Sequence, residues 1–263
     1  MGQMFMLGGA AQHRERCAAD LARRLNAEEA EAAGADLRPG TRHPRAWDGA
    51  PALYDLAAAE QFRLLTALGL REYHRVLEVG CGGLRLGRLL IPYLLPERYF
   101  GAEPEREILE AGCRMHFGAG LESSQVIAAK RPRFSHEAAF EFGFTGGPVD
   151  FVIVGSAAAH AGPALLQALL AEVRDVMAAD ARAIVTYAGC AELAESNRRE
   201  GWFHPAIVTY TESDFAAFCR GAALAAVFPE GRWAGPVAGP AGEADRTAIL
   251  ARASDTGSAA TPR

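Results

Sequence analysis

The run VLEVGCGG, residues 76–83, sets a short apolar stretch directly before three glycines, Gly80, Gly82 and Gly83, with helix-forming residues behind them. A strand that ends this way can reverse sharply, and a ligand can approach its backbone without meeting a Cβ. Glu103 closes the next apolar run, RYFGAE, about twenty residues on, where a carboxylate accepts both hydroxyls of a ribose. Each signal has a plainer use: a tight strand-to-helix turn also wants glycines, and a helix start also favours an acid through its dipole. Together they describe an adenosine-cofactor site. Its charge can be read too. Gly80-Cys81-Gly82 is followed by Gly83, Leu84 and Arg85, so the final glycine of the pyrophosphate pattern G-x-G-x-x-G is missing. Glu78, inside the strand, would repel a pyrophosphate but suits a ligand bearing a sulfonium and an ammonium group.

These residues need a scaffold, and the chain supplies alternating strand and helix patterns. RVLEV (75–79), RYFGAE (98–103), VDFVIVG (149–155) and ARAIVTY (181–187) read as strands, with helices at about 85–94, 105–116 and 163–179 between them. Apolar strands joined by crossover helices predict a doubly wound, mostly parallel α/β sheet that binds its ligand where the strands end. Leu53 to Leu68 has a helical pattern stopped by Gly69. Near the end, Ser213 is a candidate cap for a helix through Arg220, ALAAVF (223–228) reads as a strand, and DRTAILARA (245–253) reads as a last, antiparallel one. Residues 11–33 suit an amphipathic helix and 34–51 a Gly- and Pro-punctuated linker. The expected organisation is a helical extension and linker over 1–51, a cofactor-binding domain over 52–253, and a disordered tail over 254–263.

With those motifs in hand, EVGCGG resembles motif I of the class I S-adenosylmethionine-dependent methyltransferases. The longer string GCGGLRLGRLLIPYL with YFGAEPE is similar to a bacterial subgroup of them, and the likeness extends over about residues 52–227. The resemblance implies a Rossmann-like methyltransferase fold and S-adenosyl-L-methionine as cofactor. By it, Glu78, Gly80 and Gly82, with Cys81 and Gly83 in the same turn, hold the methionine moiety. Glu103, with Pro104 beside it, holds the ribose, and Ala139 and Phe140 near the end of the third strand border the adenine. Residue 84, a glycine in that fold, is Leu here.

The exit of the fourth strand, GSAAAH, brings Gly155, Ser156 and His160 beside the expected sulfonium. Methyl transfer is an in-line displacement in which positioning supplies much of the rate, and a base is needed only where the acceptor loses a proton. His160 is the first candidate for that base, set against a structural histidine capping the next helix. A second cluster, WFHPAIVTYT (202–211), offers His204 and Tyr210 as titratable tips of an aromatic wall, set against a hydrophobic loop on the sheet edge. His136 and Glu137 are weaker candidates, and Arg85 more simply serves its own helix.

Composition trims the alternatives. With 27 Lys and Arg against 32 Asp and Glu, net −5, the chain has no basic stripe for nucleic acid. Five scattered cysteines without C-x-x-C signal neither a disulfide framework nor zinc, and the cytoplasm is the expected compartment. No apolar run approaches the roughly 20 residues needed to cross a bilayer, and no targeting segment is read. The absence of N-P-P-Y after the fourth strand argues against base-amine methylation. The lack of an aspartate at 155–160 argues against a catechol-type magnesium site, so no metal is expected. The expected activity is methyl transfer to a small-molecule acceptor, a specialised metabolite among the candidates. A non-catalytic S-adenosylmethionine-binding sensor or interaction module is the alternative, and a nicotinamide oxidoreductase is the third. The N-terminal helix is read as either a lid or a homodimer contact.

Overall fold

The computed structural model describes residues 37–47, 49–192, 199–229 and 244–253. The helix expected over 11–33 and the tail from 254 lie outside them.

A short 3-10 turn, Pro51–Leu53, leads into α1 (Tyr54–Ala67). This helix buries Tyr54, Ala57, Ala58, Gln61, Leu64 and Leu65, a three-and-four spacing that keeps one face against the sheet. The chain then runs β1 (Val76–Val79), α2 (Gly87–Tyr93), β2 (Tyr99–Ala102), α3 (Arg106–Phe117), α4 (Gln125–Lys130), β3 (Arg133–Ser135) and β4 (Val149–Val154). It continues through α5 (Ala157–His160), α6 (Pro163–Val176), β5 (Met177–Gly189), β6 (Thr209–Tyr210), α7 (Glu212–Gly221), β7 (Leu224–Val227) and β8 (Ala244–Arg252). The sheet order is β3-β2-β1-β4-β5-β8-β7, with β6 on the end of β5. β8 runs antiparallel to both its neighbours and the other pairings are parallel. This is the doubly wound α/β fold expected from the sequence.

All four residues of β1 are buried, because the strand is covered on both faces. Leu77 and Val79 join one core with β4, β5 and α6, while Val76 joins Tyr99, Leu84, Leu90 and α1 in the other. The strand ends are therefore rigidly placed.

Several boundaries differ from the sequence pattern. α2 starts at Gly87 and not near 85, after a turn in which Leu84 has φ +62. α6 stops at Val176 and Met177–Asp180 already belong to β5, where Met177 pairs with Val149. The cap of α7 is Thr211, whose hydroxyl accepts from Asp214 N at 3.1 Å, and not Ser213. β3 ends at Ser135, so Ala139 and Phe140 sit in the loop beyond it. From there to β4 the crossover has a 3-10 turn at Gly143–Thr145 and no α-helix. That leaves a groove alongside α6.

Candidate functional site

The carboxyl ends of β1, β2 and β4 open into a cavity of about 870 Å³, within the range of roughly 300–1,000 Å³ typical of small-molecule sites. Gly80, Glu103 and Ser156 come from the three strand ends. Pro104, Ala139, Phe140 and Phe142 close one side, and Trp47, His160, Trp202 and His204 close the other. Leu165, Ala168 and Glu172, spaced along α6, form the wall of the groove.

The glycine turn is held in an unusual backbone path. Gly80, Gly82 and Leu84 have φ of +70°, +50° and +62°, so alternate residues take the left-handed conformation. For Leu84 this costs about 1–2 kcal/mol, offset by its fully buried side chain, worth about 1.5–3 kcal/mol. Gly80 N and Cys81 N both donate to Ala102 O, at 2.9 and 3.1 Å. A Cβ on Gly112 of α3 would collide with the carbonyl of Gly83, so that helix packs directly on the turn.

Glu103 ties these pieces together. Its Oε2 accepts from Gly82 N and its Oε1 from Glu105 N, each at 2.9 Å, and its side chain is buried against the cavity. An ionised carboxylate only accepts, and each oxygen carries a second lone pair, so two further hydroxyl donors can be received on the cavity side. The backbone of Glu103 is itself fixed, its N donating to Ser135 O and its carbonyl facing His136 Nδ1 at 2.8 Å. His136 thus braces the site from behind.

Not every candidate reaches the cavity. Val79 lines it, so Glu78 points to the opposite face of the sheet, where its Oε2 accepts from Tyr99 Oη at 2.6 Å. Burial and the Glu78 charge raise the Tyr99 phenol well above its ordinary pKa, which keeps it a donor. Cys81, Gly82 and Gly83 shape the turn from below. Gly155 lies next to Arg85 and Gln61, off the cavity lining. Tyr210 is fully buried, and its hydroxyl donates to Ala161 O at 2.7 Å.

The other wall is assembled from distant segments. Loop 201–208 is stitched to the exit of β4 by Phe203 N to His160 O, Gly162 N to Gly201 O and Val208 N to Ala159 O. The His160 and His204 rings meet edge to face at 4.8 Å, and Trp202 meets His160 at 5.7 Å. Carbonyl partners assign the tautomers, because a carbonyl only accepts. His160 Nδ1–H donates to Ala206 O at 2.7 Å, and His204 Nε2–H donates to Trp47 O at 3.1 Å. Burial, with His204 nearby, lowers the His160 pKa to about 4, so the ring is neutral at pH 7 with its lone pair on Nε2.

Trp47 belongs to the stretch read from sequence as linker, and only the structure brings it to the site. Residues 37–47 run over the strand ends: Arg42 pairs with Glu105 and Glu107, Pro44 covers Gly83, and the Trp47 ring lies 4.5 Å from that of His204. The α6 wall was also missed, since Ala168 and Glu172 look like a solvent face. Among the described residues no group of three or more His, Cys, Asp or Glu could hold a metal ion, and no helix is long and apolar enough to cross a membrane.

No protein-family model matches this sequence, and no curated protein matches it. Solved structures do share its fold. Magnesium protoporphyrin IX methyltransferase from Synechocystis PCC 6803, with bound SAM, superposes with a TM-score of 0.55 at 14% identity, over 95% of this chain and 100% of that one. An S-adenosylmethionine-dependent methyltransferase from Clostridium acetobutylicum gives 0.54 at 12% identity, over 76% and 92%. A TehB-like SAM-dependent methyltransferase from Corynebacterium glutamicum gives 0.51 at 15% identity, over 92% and 99%. The fold of this chain is thus one that S-adenosylmethionine-dependent methyltransferases use.

Proposed function

We propose that this protein is an S-adenosylmethionine-dependent methyltransferase acting on a small molecule. The observation that carries the reading is Glu103, a buried carboxylate braced to the glycine turn and facing a cavity floored by Gly80. The residues present fit the cofactor. Glu103 offers acceptors for two ribose hydroxyls, Pro104, Ala139 and Phe140 offer an apolar slot for the adenine, and Gly80 leaves the backbone open for the methionine moiety. Among the described residues no Lys or Arg lines the cavity to bind a pyrophosphate. Bound there, S-adenosylmethionine would supply an electrophilic methyl group on a sulfonium.

The chain's own residues do the rest. Trp47, Trp202 and His204 border the acceptor side, where they can orient what binds against the methyl group. His160 holds Nε2 unprotonated at neutral pH, so it can take a proton from an acceptor as the new bond forms. Such a weak base assists a proton already being released and does not deprotonate an alcohol beforehand.

The test is release of S-adenosylhomocysteine from S-adenosylmethionine in the presence of a small-molecule panel, followed by mass spectrometry. Turnover with one acceptor, reduced in His160→Gln, supports the reading. Tight cofactor binding with no acceptor turned over across a broad panel would favour a non-catalytic sensor instead.

A further inference from the structure

The cavity is as informative for the charge it carries as for its shape. Five glutamates line it, Glu103, Glu105, Glu137, Glu141 and Glu172, and among the described residues no Lys or Arg does. Two of the five are already engaged. Glu103 accepts two backbone amides, and Glu105 is ion-paired with Arg42 at 2.8 Å. The carboxylates of Glu137, Glu141 and Glu172 form no ion pair among the described residues, and all three are exposed at the cavity or its groove. S-adenosylmethionine brings one net positive charge, from a sulfonium and an ammonium against one carboxylate, and so leaves most of this negative charge uncompensated. A second, independent feature accompanies it: the aromatic faces of Trp47 and Trp202 border the same space, with Trp202 51% exposed. His160 adds no compensating charge, since burial keeps its ring neutral while Nδ1–H donates to Ala206 O. Aromatic faces backed by carboxylates attract ammonium groups and repel carboxylates and phosphates.

We infer that the acceptor is a lipophilic amine, bound with its ammonium group among the Trp47 and Trp202 faces and the Glu137, Glu141 and Glu172 carboxylates. This rests on the proposed methyltransferase reading and narrows it to a substrate class. The ammonium group is the recognition handle, whichever atom of the acceptor is methylated. Exclusion of anionic acceptors is the other half of the inference.

The experiment uses the intact chain saturated with S-adenosylhomocysteine and titrated with matched probes. These are tryptamine, phenethylamine and hexylamine against indole-3-propionate, 3-phenylpropionate and heptanoate. At least one amine is expected to bind about tenfold or more tighter than its carboxylate counterpart. That preference is expected to weaken as salt rises and to shrink several-fold in Glu172→Gln, whose side chain makes no hydrogen bond or ion pair among the described residues. An unchanged melting temperature shows that this variant is folded. Equal or tighter binding of the carboxylates, or binding of none of the amines, overturns the inference while leaving cofactor binding intact. Failure to bind S-adenosylhomocysteine at all overturns the methyltransferase reading itself.

Discussion

The two sides of the cavity are built by different means. On one side β1 and β2 lie adjacent and in register, Val79 opposite Ala102, and the turns that leave them are locked by amide-to-carboxylate bonds onto Glu103. On the other side Trp47, His160, Trp202 and His204 come from three separate segments, joined by carbonyl-to-imidazole bonds and ring contacts. A side made of neighbouring backbone can hold one ligand in one geometry. A side made of loops can change its residues without disturbing the sheet, which suits the proposed division into a cofactor side and an acceptor side.

The largest expected effect comes from breaking the cofactor side. Glu103→Ala removes the acceptor of Gly82 N and Glu105 N together with the proposed ribose contact, and should weaken S-adenosylhomocysteine binding by about 100-fold or more in calorimetry. A loss below about threefold would mean that this side does not hold the cofactor. Gly112→Ala drives a Cβ into the Gly83 carbonyl and should cost about 1–3 kcal/mol in urea unfolding. Gly143→Ala, with no atom within 4 Å of the added Cβ, should stay within about 0.5 kcal/mol of the parent.

On the acceptor side, His160→Gln should lower kcat by about 100-fold, with little change in cofactor affinity. The pH dependence follows from its lowered pKa. Since His160 titrates near 4 in the fold against 6.5 ordinarily, kcat should hold level as pH falls from 8 to about 5.5. A limb centred near 6.5 that persists in His160→Gln would remove His160 as the base. Stability shifts in the same window: the unfolded chain takes up the proton first, so a contribution of about 3 kcal/mol is present above pH 6.5 and is lost as pH falls through 4. His116, lowered to about 4 by burial and by Arg88 and Arg45, adds to the loss with the same sign. The smallest effect on this side belongs to Tyr210→Phe. Loss of the bond to Ala161 O should cost about 1 kcal/mol of stability and leave turnover unaltered. A fall in kcat greater than in stability would return Tyr210 to the chemistry.

The same division explains what could be read in advance. The main strands and the position of Glu103 follow from local signals, apolar runs ending in Gly or an acid, and these depend only on near neighbours. Leu84 shows how far such signals reach. It takes the backbone path of the missing glycine, and nothing in its side-chain type announces this, because the compensation is burial in a distant core. Glu78 was placed by motif, but the alternation of β1 turns it to the opposite face, toward Tyr99. Trp47 was invisible for the opposite reason. The stretch that carries it has no periodicity, and its place at the site depends on His204, far along the chain.

The most direct measurement is calorimetric titration of the unmodified chain with S-adenosylmethionine, S-adenosylhomocysteine and NAD. Saturable binding of the first two at a stoichiometry of one, with no heat from NAD, is the result expected from a carboxylate-lined cavity beside this glycine turn. Binding of NAD in preference, or of none of the three, would contradict it.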